Sequence, residues 1–76
     1  MEGIGKVDWK RFEKFLLKVG CEFKSQESRH LKYKKAGLLR PIIVPKTNEL
    51  PDSIIMNNLR TLGVSREDFI SLIKDC

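Results

Sequence analysis

Arg29-His30-Leu31-Lys32-Tyr33-Lys34-Lys35 is the stretch on which the reading of this chain turns. Side chains along a β-strand point to opposite faces with a period of two. Here that alternation sorts the chemistry: Arg29, Leu31 and Tyr33 share one face, and His30, Lys32 and Lys34 share the other. Leu31 and Tyr33 are the apolar members, so their face belongs to the core and the opposite face to solvent. A one-residue bulge within the strand would reverse the assignment. Histidine has the side chain whose ordinary pKa lets it exchange a proton near neutral pH, and lysines attract phosphate. The outward face therefore combines a proton shuttle with two cations, the minimum equipment for metal-free RNA cleavage.

Working outward, Cys21–Gln26 also alternates, with Cys21 and Phe23 on one face and Glu22 and Lys24 on the other. Lys35-Ala36-Gly37 reads as a turn, and Leu39–Val44, rich in β-branched residues, as a third strand closed by Pro45. Upstream, Trp9, Phe12, Leu16 and Val19 recur on one helical face, which Phe15 widens. Asp8 suits the N-cap of that helix, and Gly20 the left-handed position that ends it. Downstream, Pro51 sits near a helix start, Ile55, Leu59 and Leu62 line a face, and Gly63 stops the helix. Ser65-Arg-Glu-Asp68 resembles a capping box before a last helix packed through Phe69, Leu72 and Ile73. The expected order is α-β-β-β-α-α in one domain spanning residues 1–76. It is an α+β fold in which a three-stranded antiparallel sheet packs on helices and leaves one face wet.

The formal net charge is +5, yet residues 24–46 alone carry +6, so the rest of the chain sums to −1. Basicity concentrated in one segment suits an anion-binding surface, although such a run is also found as a plain solvated face. Cys21 and Cys76 are too few for a disulfide scaffold and have no histidine at zinc-ligand spacing. Cys21 reads as a core residue and Cys76 as a terminal thiol. The acidic residues form no metal-ligand cluster, so neither metal nor cofactor is implied. No apolar run reaches membrane-spanning length and no signal-peptide core is present, so a cytoplasmic location is expected.

The joint order of several short motifs resembles the HicA toxins of bacterial type II toxin–antitoxin systems, the YcfA-like family. Its pattern is a helix ending in Gly-Phe, then Gly-Ser-His and an aromatic, a strand ending Val-Pro, a Glu-Leu helix start and Gly-Ile/Val-Ser. In this chain these read Gly20-Cys21, Ser28-Arg29-His30, Tyr33, Val44-Pro45, Glu49-Leu50-Pro51 and Gly63-Val64-Ser65. The resemblance runs from Val7 to Ile73. It implies a double-stranded-RNA-binding-domain-like fold, an mRNA endonuclease activity, and a HicB-type antitoxin as partner. The family glycine and serine before the histidine are replaced by Ser28 and Arg29, and a second histidine after Val-Pro is absent.

Under that resemblance His30 is the catalytic residue. RNA supplies its own nucleophile, the 2′-hydroxyl, so cleavage needs a base, an acid and cations at the phosphate. With a single histidine, one residue serves both proton steps or shares them with Lys, Tyr or water. Lys32 and Lys34 are the first candidates for phosphate, with Arg29, Lys24 and Lys46 beside them and Arg40 further off. Arg29 either points inward beside Leu31 or turns outward as a further phosphate ligand. Tyr33 could stack on a base, but its phase with Leu31 favours core packing. Three readings stay open: a ribonuclease toxin, a non-catalytic RNA-binding module that the altered Ser28-Arg29 pair has disarmed, and, with less support, a basic face that serves only to dock a protein. The sequence does not disclose an RNA sequence preference, the oligomeric state or a cognate antitoxin.

Overall fold

Asp8 opens α1 (Trp9–Lys18) by accepting a hydrogen bond from the Arg11 N–H at 2.8 Å, the interaction that satisfies an otherwise unpaired first-turn donor. The structure, a computed structural model, describes residues 6–75; residues 1–5 and Cys76, with the expectation of a terminal thiol, lie outside the described residues. Phe12, Phe15 and Leu16 form the buried stripe of α1, with Trp9 and Val19 partly buried at its two ends. The helix stops where Gly20 takes φ +98°. There the Gly20 N–H donates to the Leu17 carbonyl (3.2 Å) and the Cys21 N–H to the Leu16 carbonyl (2.9 Å). This paired closure needs a left-handed residue, which glycine adopts without a Cβ clash.

Three antiparallel strands follow in a meander, β1 (Glu22–Glu27), β2 (His30–Lys34) and β3 (Ile42–Pro45), with β2 in the centre. Tyr33 lies opposite Phe23 and Ile42, and Leu31 opposite Gln26 and Val44. Leu31, Tyr33, Ile42 and Val44 are buried and form the sheet's contribution to the core. Then come α2 (Asp52–Leu62) and α3 (Arg66–Ile73), the latter capped by the Ser65 hydroxyl accepting from the Asp68 N–H at 3.0 Å. The α-β-β-β-α-α order is as expected from the sequence.

Polar bonds fix the helices on the sheet. The Tyr33 hydroxyl donates to the Glu13 carboxylate of α1, and the Asn58 amide of α2 donates to the Ile43 carbonyl at 3.1 Å. Phe69 of α3 meets Phe15 edge-on, with ring centroids 4.8 Å apart, and Phe12 at 5.8 Å. Edge-on and tilted aromatic contacts of this kind add to the area they bury. Among the described residues, no helix is long and apolar enough to cross a membrane.

The strand ends depart from the sequence expectation. β2 starts at His30 rather than Arg29, because Ser28 and Arg29 form the two-residue turn of the β1–β2 hairpin. β3 starts at Ile42 rather than Leu39: β2 ends at Lys34, and Ile42 already pairs with Tyr33, so the residues before it have no partner. Pro41 also lacks the N–H that a ladder uses, and Leu39 is fully exposed. The Lys35–Leu38 turn closes with a 3.1 Å bond from the Leu38 N–H to the Lys35 carbonyl.

Candidate functional site

β2 delivers its outward row as the alternation requires. Burial along His30–Lys34 runs exposed, buried, intermediate, buried, exposed. His30, Lys32 and Lys34 therefore lie on the wet face, and the backbone of β2 is held on both sides by its neighbours. His30 stands at the first position after the turn, opposite Glu27 on β1 and Pro45 on β3. Its imidazole is exposed and joins no hydrogen bond or ion pair among the described residues.

β1 does not follow the simple alternation. Phe23 pairs with Tyr33, but the next pair is Ser25 with Lys32, leaving Lys24 as an extra residue in a β-bulge. Lys24 thus has no ladder partner of its own, and the simple alternation that the sequence assigned to it together with Glu22 is broken there. Ser25 and Glu27 stand opposite Lys32 and His30 instead. Phe23 stays on the core side, its ring edge-on to Tyr33 at 5.7 Å, but half of it remains exposed because β1 is an edge strand.

Two carboxylates consequently enter the site. Lys32 Nζ lies 3.2 Å from Glu27 Oε1, and Lys34 Nζ lies 3.9 Å from Glu22 Oε1. These exposed pairs are weak, but they set the local field: the wet face carries two lysines against two glutamates rather than bare positive charge. Sequence reading put Glu22 on the polar face of β1 but foresaw neither ion pair. The signal for Glu27 was available, since a two-residue turn at Ser28-Arg29 makes Glu27 the partner of His30.

The remaining expected phosphate ligands are spread around this face. Lys24 is exposed on the bulge and Arg29 is exposed in the turn, not inward beside Leu31. Lys46 continues past β3, where its N–H donates to the Arg29 carbonyl at 2.7 Å, and its ammonium lies 5.1 Å from the centroid of the Trp9 ring. Lys10 Nζ lies 5.8 Å from the same centroid. Lys34 and Lys35 face a shallow depression of about 420 Å³ at the far end of β2 from His30, with Gly20, Glu22, Ala36 and Leu38. Arg40 is exposed in the β2–β3 loop.

Tyr33 is removed from the chemistry. It is fully buried on the core face, and its phenol pKa is raised above 10 by burial, by the hydrogen bond to Glu13 and by that carboxylate's charge. It therefore stays neutral and can serve neither as base nor as stacking platform. Burial likewise pushes the Cys21 thiol up, partly offset by Lys35, so Cys21 is an inert core group. Among the described residues, no three His, Cys, Asp or Glu side chains gather as a metal-holding cluster.

No curated protein and no solved structure matches this chain. A family model described as "HicA toxin of bacterial toxin-antitoxin" does match, over residues 9–64 of the 76. That span runs from the first residue of α1, through the whole sheet and the exposed His30, to Gly63-Val64 just past the end of α2. The chain belongs to the HicA toxin family.

Proposed function

We propose that this toxin is a metal-independent endoribonuclease that cleaves mRNA in the cytoplasm, with His30 moving the proton. The observation that carries the proposal is the placement of His30: exposed, at the fixed end of a central strand, with Lys32 two residues along on the same face. As the 2′-oxygen attacks phosphorus, the imidazole takes the 2′-hydroxyl proton. The resulting imidazolium returns that proton to the departing 5′-oxygen as the P–O5′ bond breaks. The products are a 2′,3′-cyclic phosphate and a 5′-hydroxyl, and the histidine is regenerated. General acid–base help of this kind contributes about 10²–10⁴-fold.

Lys32, on the same face of β2, supplies a cation for charge developing on the phosphate oxygens. Arg29, Lys24, Lys34 and Lys46 hold the flanking phosphates. Replacement of the family glycine by Ser28 does not argue for a disarmed protein, because Ser28 takes φ 57°, on the left-handed side that glycine favours, and the hairpin closes around it. As a toxin of this family the chain has an antitoxin partner. A HicB-type antitoxin would silence it by covering the wet face with acidic groups.

RNA cleavage by the parent chain and by His30→Ala, purified identically and assayed in EDTA, tests the scheme. The parent is expected to yield 5′-hydroxyl ends, and His30→Ala to lose at least 100-fold in rate (about the lower limit for such help) while keeping its fold and RNA affinity. An unchanged rate in His30→Ala, or cleavage that needs Mg²⁺, would sink it.

A further inference from the structure

Trp9 is the chain's single tryptophan, and its surroundings are not those of a residue serving the core alone. It is only partly buried, at the first position of α1. The ammonium groups of Lys46 and Lys10 lie 5.1 and 5.8 Å from its ring centroid, and both lysines are exposed. A tryptophan sealing a core is covered by apolar side chains. Trp9 packs against the core, but its ring is also flanked by two flexible cations that a ligand can displace.

The position of this cluster relative to His30 is fixed by backbone bonds. His30 pairs with Pro45, the Lys46 N–H donates to the Arg29 carbonyl, and the Trp9 N–H donates to the Thr47 carbonyl at 3.0 Å. The backbone path from His30 to Thr47 is one cross-strand step plus two residues, roughly 13 Å at most, and the Thr47–Trp9 hydrogen bond is the last link. Trp9, Lys10, Lys46 and Arg29 thus gather at the same end of the sheet as His30. None of these three cations joins an ion pair among the described residues, whereas Lys32 and Lys34 are each paired with a glutamate. At His30's end of the sheet, then, lie three cations without an ion pair among the described residues, two of them beside an aromatic ring.

From this we infer that Trp9, with Lys10 and Lys46, is a nucleobase-stacking subsite for single-stranded RNA, next to the point of cleavage. An unpaired base stacks on the indole, and the two ammonium groups move from the ring to the phosphates on either side of that base. Base stacking on an aromatic side chain is stronger than a surface cation–π contact, so the exchange favours the bound strand. Bases within a duplex have no free face to offer, so the subsite selects unpaired RNA. The inference rests on RNA being the substrate, as proposed above, and adds a residue that holds the strand rather than one that touches the reacting atoms.

Because Trp9 is the only tryptophan, its fluorescence reports this subsite alone. The full chain carrying His30→Ala, which should bind without cleaving, is titrated with a mixed-sequence single-stranded RNA 5′-labelled for anisotropy. Quenching of tryptophan emission is expected with the same midpoint as the anisotropy rise, and weaker binding without quenching is expected for the corresponding duplex. Trp9→Leu should weaken single-strand binding by about tenfold, with Trp9→Phe in between; circular dichroism melts confirm that both variants fold. Binding that leaves the emission unchanged, as a protein-docking role for Trp9 would give, overturns the subsite. So does undiminished affinity in Trp9→Leu, or no binding by either readout. Quenching by RNA together with an inert parent chain in the cleavage assay would retain the subsite and reject the nuclease.

Discussion

Ser28 holds a backbone conformation, φ 57°, that disfavours an L-residue by roughly 1 kcal/mol or more relative to glycine. The hairpin leaves little choice: Glu27 pairs with His30, so only Ser28 and Arg29 are available to reverse the chain, and tight hairpins demand positive φ at such positions. Ser28→Gly relieves the strain but loosens the unfolded chain, which returns part of the gain. The net expectation is a stabilisation of about 0.5 kcal/mol, read as a higher urea midpoint at unchanged slope. Ser28→Val should move the midpoint the other way, because a β-branched residue tolerates positive φ least. A midpoint that falls in Ser28→Gly would mean that the serine contributes something its conformation does not explain.

At the scale of the element, β1 and β2 show why one strand was legible and the other was not. β2 alternates between buried and accessible positions, so Leu31 and Tyr33 pin its phase, and the face of His30, Lys32 and Lys34 could be assigned from sequence alone. β1 has no buried residue from Glu22 to Glu27. Its one apolar residue, Phe23, precedes the bulge, so beyond it periodicity has nothing to register against, and the bulge at Lys24 passed unseen. The helices were legible for the same reason as β2: Phe12, Phe15 and Leu16, and then Ile55 and Leu59, mark one buried stripe each. The bulge puts Glu22, Ser25 and Glu27 of β1 opposite Lys34, Lys32 and His30, two negative charges beside the lysines. Glu27→Gln should therefore free Lys32 for phosphate. RNA affinity at low salt is expected to rise about two- to fivefold, and the log–log salt slope to steepen by about 0.7, as one added single-strand phosphate contact requires. Anisotropy titrations over a salt series check this, and an unchanged slope would show that Lys32 does not reach the RNA.

At the scale of the whole molecule, the family match stops at residue 64, while the core does not. α3 lies beyond the match, yet Phe69 is fully buried between Phe12 and Phe15 of α1, and Ile73 is buried beside them. The Arg11 guanidinium donates to the Ile73 carbonyl at 3.2 Å, fixing the end of α3 to the helix that carries Trp9. At 76 residues, the usual stability per residue amounts to about 4–11 kcal/mol in total. Truncating a buried phenylalanine to alanine costs about 3–5 kcal/mol, a large share of that sum. Phe69→Ala is accordingly expected to lower the thermal midpoint by roughly 15–30 °C, although it touches neither His30 nor any proposed RNA contact. Activity measured well below the new midpoint should persist, since the sheet face itself is intact. A shift of only a few degrees would mean that α1 and the sheet hold together without α3, and that residues 9–64 suffice for the fold.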